Sequence, residues 1–213
     1  MEAFATLTAV AAPMPKPNIN TDDIYPGPGA SPIAAGMSSR AYSDPAHAGV
    51  NAFSAQKYDA AGVLVPDFIL NVPPWTEAKI IVAGANFGCG SSREMAVWTL
   101  AGIGVRCIIA PSFGDIFFNN CFKNGVLPIR LPQAQVNELL ALASDPATST
   151  LTVDLREQVI TAPGGRAYPF QVTDYFRQAL LEGLDEISAT VARMDKIDAF
   201  DRRYRAERPW LTL

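Results

Sequence analysis

The chain has 213 residues, 49% of them hydrophobic, which is enough for one large domain with a substantial core. Its 17 Lys and Arg against 21 Asp and Glu leave a net charge of −4, and no basic block or interleaved basic–aromatic patch is present, which argues against nucleic acid as a partner. No apolar run reaches the roughly 18 residues needed to cross a bilayer. Pro13, Pro15 and Pro17 also break the early apolar stretch that a secretory signal would need, so the expected compartment is the cytoplasm.

In chain order, residues 4–12 read as a strand. Residues 13–76 are rich in Pro, Gly, Ser and Asn with weak periodicity, an irregular segment with room for short helices. Strand 79–85 then leads to helix 93–103, strand 105–110 to helix 113–123, and strand 126–131 to a helix around 133–143. Gly102 and Gly104 stop the first helix, and Asn124-Gly125 the second. Such alternation predicts parallel strands with crossover helices. After Asp145-Pro146 the pattern changes to a hairpin (149–154 and 156–161), a short strand at 167–172, a polar helix at 173–182 and a charged helix from about 185 to 206. The last helix carries Ile187, Val191, Met194 and Ile197 at helical spacing, which predicts a face packed on the body.

Chemistry concentrates in the turn Asn86-Phe-Gly-Cys-Gly-Ser-Ser-Arg-Glu94, between an apolar strand and a helix. Backbone N–H groups and the positive end of the helix dipole converge there and favour anions, and the Arg93 guanidinium is a fork suited to a carboxylate. Ser91 followed by Glu94 also fits a capping box, a purely structural role. Gly88 and Gly90, the paired serines 91 and 92, and a cation in the first helical turn point instead to a bound anion. A second cluster, Asn20-Thr-Asp-Asp23 ahead of Pro26-Gly27, reads either as an Asx-type turn or as a carboxylate that tunes the serine–arginine turn. In the third, Ser112 and Asp115 resemble a capping box, Phe113, Phe117 and Phe118 read as core, and Asn119, Asn120 and Lys123 as a polar face. Cys89, Cys107 and Cys121 lack CxxC spacing, and His47 stands alone in a loop, so any metal is expected to arrive with a partner.

The turn at 86–94, together with Ala-Pro-Ser-Phe at 110–113, Phe-Lys-Asn-Gly-Val-Leu-Pro at 122–128, Asn-Thr-Asp at 20–22 and the closing Pro-Trp at 209–210, resembles the family of 3-isopropylmalate dehydratase small subunits. These are the swivelling domain of the aconitase superfamily on a separate chain. The resemblance implies an α/β swivelling domain over residues 1–213, with a mixed, mostly parallel sheet flanked by helices. It also implies a hydro-lyase that interconverts 2-isopropylmalate and 3-isopropylmalate in leucine biosynthesis and is active only with a larger subunit. That partner would carry a [4Fe–4S] cluster, whose open iron is the Lewis acid toward the substrate hydroxyl.

Carried onto this sequence, Ser91 matches the general base on the carbon-bound proton. Arg93 matches the carboxylate grip, Ser92 a neighbouring hydrogen bond, and Thr21 and Asp22 the Thr-Asp pair of the active-site wall. The substrate expected is a small branched hydroxy-dicarboxylic acid. The chain departs from the family at Met95, where histidine is usual, and over residues 24–40, in the loop that helps select the substrate side chain. Homoaconitate, citraconate or a substituted malate are therefore alternative substrates, and a non-catalytic binding module of the same fold is the alternative in kind.

Overall fold

The computed structural model describes residues 1–33 and 44–211. Part of the 24–40 segment therefore lies outside the described residues. Seven strands form one continuous mixed sheet in the order β4-β3-β2-β1-β5-β6-β7, made of Thr6–Met14 (β1), Ile80–Ala83 (β2), Cys107–Ala110 (β3), Leu127–Arg130 (β4), Thr150–Asp154 (β5), Val159–Thr161 (β6) and Ala167–Pro169 (β7). β1, β2, β3 and β4 are parallel, and β5, β6 and β7 add antiparallel pairings beyond β1. This is the mixed α/β architecture expected from the alternation of segments. β1 is the seam between the two halves: its Ala11–Met14 end pairs with β2, and its Thr6–Val10 end with β5.

The helices are Thr21–Ile24 (α1), Ser54–Lys57 (α2), Met95–Gly102 (α3), Asp115–Lys123 (α4), Gln133–Ala143 (α5), Asp174–Glu182 (α6), Glu186–Val191 (α7) and Met194–Glu207 (α8). β2 and β3 are buried at every position, which is why their sequences are unbroken apolar runs rather than alternating ones. Ile81, Ala83, Ile108 and Ala110 pack on one side against Val97 and Leu100 of α3, Phe117 of α4 and parts of the irregular segment, including Ile24, Tyr25, Phe53 and Trp75. Ile80, Val82, Cys107 and Ile109 face the other side, against Val136 and Leu139 of α5, Leu180 of α6 and Leu151 and Val153 of β5. Phe113 and Phe117 are core, as expected, and Phe118 is packed against it.

Two expectations for the C-terminal region need correction. The single helix expected over 185–206 is two, because Arg193 (φ −117°, ψ 15°) leaves helical geometry between α7 and α8. Its apolar spacing also does not mark a packed face. No residue of α7 or α8 is buried, and Ile187 is 77% exposed.

Candidate active site

The site is built at the carboxyl ends of the parallel strands β1, β2 and β3, where ligands collect in open α/β sheets. The loops leaving these strands are laced together. Asn18 and Asn86, both in the left-handed region (φ 58° and 59°), join side chain to side chain, with Asn86 Nδ2 donating to Asn18 Oδ1 at 2.8 Å. The Asn86 amide donates to Ser112 Oγ at 2.9 Å, the Phe87 amide to the Ser112 carbonyl at 3.1 Å, and the Gly88 amide to the Ile19 carbonyl at 2.7 Å. Ser112 is thus a loop fastener and not the cap of α4, whose N-cap is Gly114 with no side-chain bond. A Cβ on Gly88 would stand 2.2 Å from the Phe117 ring, so this glycine lets the turn settle on its own core rather than on a ligand.

The capping box that Ser91 and Glu94 offered as the structural alternative does not form: α3 begins at Met95 and its N-cap, Glu94, makes no side-chain bond. Arg93 therefore precedes the helix instead of sitting in its first turn. The box lies in the other cluster, where Asn20 Oδ1 accepts from the Asp23 amide at 2.7 Å and Asp23 Oδ2 from the Asn20 amide at 3.0 Å. This fixes α1 and turns Thr21 and Asp22 toward the serine–arginine turn. The Thr21 amide donates to the Cys89 carbonyl at 2.8 Å, and Thr21 Oγ1 accepts the Ser91 amide at 2.8 Å.

With its backbone held by Thr21, Ser91 presents its hydroxyl to Arg93. Ser91 Oγ accepts from the Arg93 amide at 3.3 Å and from Nε at 3.1 Å. Two N–H donors and a guanidinium charge at one oxygen stabilise negative charge there. Arg93 Nη2 also meets Asp22 Oδ1 at 3.5 Å, with both side chains more than half exposed. Such a pair is worth about 0–1 kcal/mol, so an incoming carboxylate can displace it. A small pocket is lined by Thr21, Asp22, Tyr25, Ser91, Arg93, Met95 and Ala96. Four of the five residues expected at the site thus converge. Ser92 does not line this pocket: its side chain is exposed and its carbonyl accepts from the buried Asn120 at 3.4 Å. The polar face of α4 splits accordingly, with Asn120 supporting the turn from below and Lys123 paired with Glu186 at 3.1 Å. Sequence reasoning misses Tyr25; its signal is a large aromatic one helical turn after Thr21.

Residues 1–134 match the aconitase C-terminal domain and 137–174 the LeuD_N segment, while 186–213 match the C-terminal domain of the 3-isopropylmalate dehydratase small subunit. A 3-isopropylmalate dehydratase small subunit from Paramagnetospirillum magneticum is 50% identical, covering 99% of this chain and 100% of that one; another from Gluconobacter oxydans is 50% identical, covering 99% and 96%. The chain belongs to the 3-isopropylmalate dehydratase small-subunit family. A crystal structure of a 3-isopropylmalate dehydratase from Methanocaldococcus jannaschii superposes with a TM-score of 0.62 at 22% identity, over 92% of this chain and 99% of that one, and shares the fold.

A family member of this kind raises the question of a metal or iron–sulfur group. Among the described residues no three His, Cys, Asp or Glu side chains come together as a ligand set. Cys107 and Cys121 are fully buried, and burial pushes both thiols well above their ordinary range, the opposite of what a thiolate ligand requires. These donors do not fit a cluster. No helix among the described residues is long and apolar enough to cross a membrane.

Proposed function

We propose that this chain is the small subunit of a hydro-lyase that interconverts 2-isopropylmalate and 3-isopropylmalate, with Ser91 as general base and Arg93 as carboxylate clamp. The observation that carries the reading is the Thr21–Ser91–Arg93 linkage: Thr21 takes up the Ser91 amide, and Arg93 supplies two donors to the Ser91 hydroxyl oxygen. A carbon-bound proton beside a carboxylate is weakly acidic. Its removal calls for a strong base and for prior neutralisation of the carboxylate, and a serine oxygen stabilised by the adjacent arginine serves the first need while the guanidinium fork serves the second. Asp22 keeps the guanidinium turned to the pocket until substrate arrives, while Ser92, outside the pocket lining, serves the turn through its carbonyl, which accepts from Asn120.

The Lewis acid that withdraws the substrate hydroxyl belongs, in this reading, to a [4Fe–4S] cluster on a larger subunit. The whole chain acts as one swivelling unit in the cytoplasm, consistent with a sheet that runs unbroken from β4 to β7. The apolar residues left exposed along α7 and α8 suit a chain that works against a second protein.

The test is co-expression with the cognate large subunit, anaerobic reconstitution of the cluster, and assay of isopropylmalate, citraconate and homoaconitate. Turnover of isopropylmalate supports the reading, and preferred turnover of another acid reassigns the substrate. A stable complex with a proven cluster and no turnover of any of them would sink the catalytic reading.

A further inference from the structure

Ser31, Asn51 and Ser54 form a buried polar knot in the irregular segment, at 3%, 1% and 0% exposure. Ser31 Oγ donates to Asn51 Oδ1 at 2.6 Å, the Ser54 hydroxyl lies within bonding distance of both partners, and Asn51 Nδ2 donates to the Pro26 carbonyl at 3.0 Å. Asn51 therefore grips both ends of residues 26–31, at the Pro26 carbonyl and at the Ser31 hydroxyl. What lies between is Gly27-Pro28-Gly29-Ala30, where Pro28 to Ala30 are exposed and a Cβ on Gly27 or Gly29 would touch nothing within 4 Å among the described residues. A turn bond, the Ala30 amide to the Gly27 carbonyl at 2.9 Å, closes this tip. Two residues before the tip, next to Pro26, is Tyr25, buried in the wall of the pocket that holds Ser91 and Arg93.

Apolar side chains could fill the same volume without desolvating three polar groups, a cost that only satisfied hydrogen bonds offset. What an apolar filling lacks is direction, because a satisfied polar network selects one arrangement of the backbone it holds. The neighbouring contacts share that target. The Phe53 amide donates to the Ile24 carbonyl at 2.8 Å, and Gln56 Nε2 to Asp23 Oδ1 at 3.1 Å, so residues 51–56 grip α1 and its exit along their length.

We propose that Asn51 is a positioning residue for substrate binding: by clamping Pro26 and Ser31 it fixes Tyr25 as a wall of the Ser91–Arg93 pocket. This rests on the reading of that pocket as the substrate site. Ser91 is held by Thr21 through a bond that Asn51 does not enter, whereas Asn51 bonds Pro26 and Ser31 beyond α1, so the clamp governs substrate affinity more than proton abstraction. Asn51→Asp keeps the shape and the acceptor oxygen for both serines, while a carboxylate has no N–H to give Pro26.

In the reconstituted two-subunit enzyme, Asn51→Asp should raise KM for isopropylmalate about tenfold, the scale of one lost hydrogen bond of about 1.4 kcal/mol, with kcat within about threefold. Hydrogen exchange on the small subunit should show faster exchange at Tyr25, Gly27 and Gly29–Ser31 and no change at Ser91. Should Asn51→Asp not fold, Ser54→Ala, which removes one member of the knot and keeps the Asn51 amide, should give the same pattern at about threefold in KM. Faster exchange with an unchanged KM would make the knot a purely structural feature and overturn the proposal, as would an unchanged exchange pattern. Failure of the wild-type complex to turn over isopropylmalate counts against the substrate-site reading instead, and the exchange result still decides whether Asn51 clamps the loop.

Discussion

Thr21 and Ser91 lie 70 residues apart, yet the Thr21 hydroxyl accepts the Ser91 amide at 2.8 Å. One buried hydroxyl thereby sets where the serine backbone sits, and the serine side chain is left to face Arg93. Thr21→Val removes that acceptor at nearly constant volume. The unpaired amide should destabilise the chain by about 1–3 kcal/mol in urea unfolding. In the reconstituted enzyme kcat should fall about tenfold or more, as a misplaced base would produce. A stability loss with unchanged kcat would confine Thr21 to the fold.

Ser91→Ala keeps the Thr21 bond, which uses only the backbone of residue 91. Turnover should drop by about 10²–10⁴-fold, the range for losing a positioned base, while association with the large subunit is retained in a pull-down. Activity near that of wild type would reduce Ser91 to a bystander.

Arg93→Lys replaces a planar fork by a point charge and removes the Nε donor to Ser91. KM should rise about tenfold, and kcat should also fall, because the serine oxygen loses a stabilising partner. A change in KM alone would separate the two roles given to this arginine.

Cys107 and Cys121 supply a pH prediction. Their folded-state values lie above the ordinary thiol value of 9.0 because the thiols are buried. Groups raised on folding contribute stability that is fully present below the unfolded value and is lost as pH rises above it. Stability should therefore be insensitive to these thiols at neutral pH and decline above about pH 9, by about 1.4 kcal/mol per pH unit for each thiol. Chemical denaturation from pH 8 to 10.5 should show a shallower decline in Cys107→Ala/Cys121→Ala than in wild type, and parallel curves would contradict the burial argument.

The exposed faces of α7 and α8 make a contrasting case. Ile197 and Phe200 are 41% and 55% exposed, so nothing among the described residues buries them deeply. Ile197→Glu and Phe200→Glu should each shift Tm by no more than about 2 °C, matching a surface change within about 0.5 kcal/mol. A large drop would mean that these helices pack on the body after all.

Where local signals were strong, the sequence and the fold agree closely. The helix expected at 133–143 is α5, Gln133–Ala143, and the hairpin expected at 149–161 is β5 and β6. Unbroken apolar runs gave β2 and β3 their burial on both faces. Capping motifs were less reliable: the Ser91 hydroxyl turns to Arg93 and the Ser112 hydroxyl to the Asn86 amide, while the reciprocal box formed at Asn20 and Asp23. The break at Arg193 has no Gly or Pro to announce it. The convergence of Thr21, Asp22, Ser91 and Arg93 depends on the parallel register of β1 and β2, which no spacing within either motif contains. Asn51 is illegible because, Ser54 apart, its partners lie 20 to 25 residues away in a segment without periodicity.

The position of β1 as seam has a consequence for synthesis. It leaves the ribosome well before β5, its partner on one edge, which follows about 140 residues later, a delay of about 7–28 s at about 5–20 residues per second. During that interval an apolar strand has an unpaired edge, a template for pairing with other nascent chains. Overproduction of this chain should favour inclusion bodies at fast translation and soluble protein at slow translation, with the N-terminal strand as the adhesive segment.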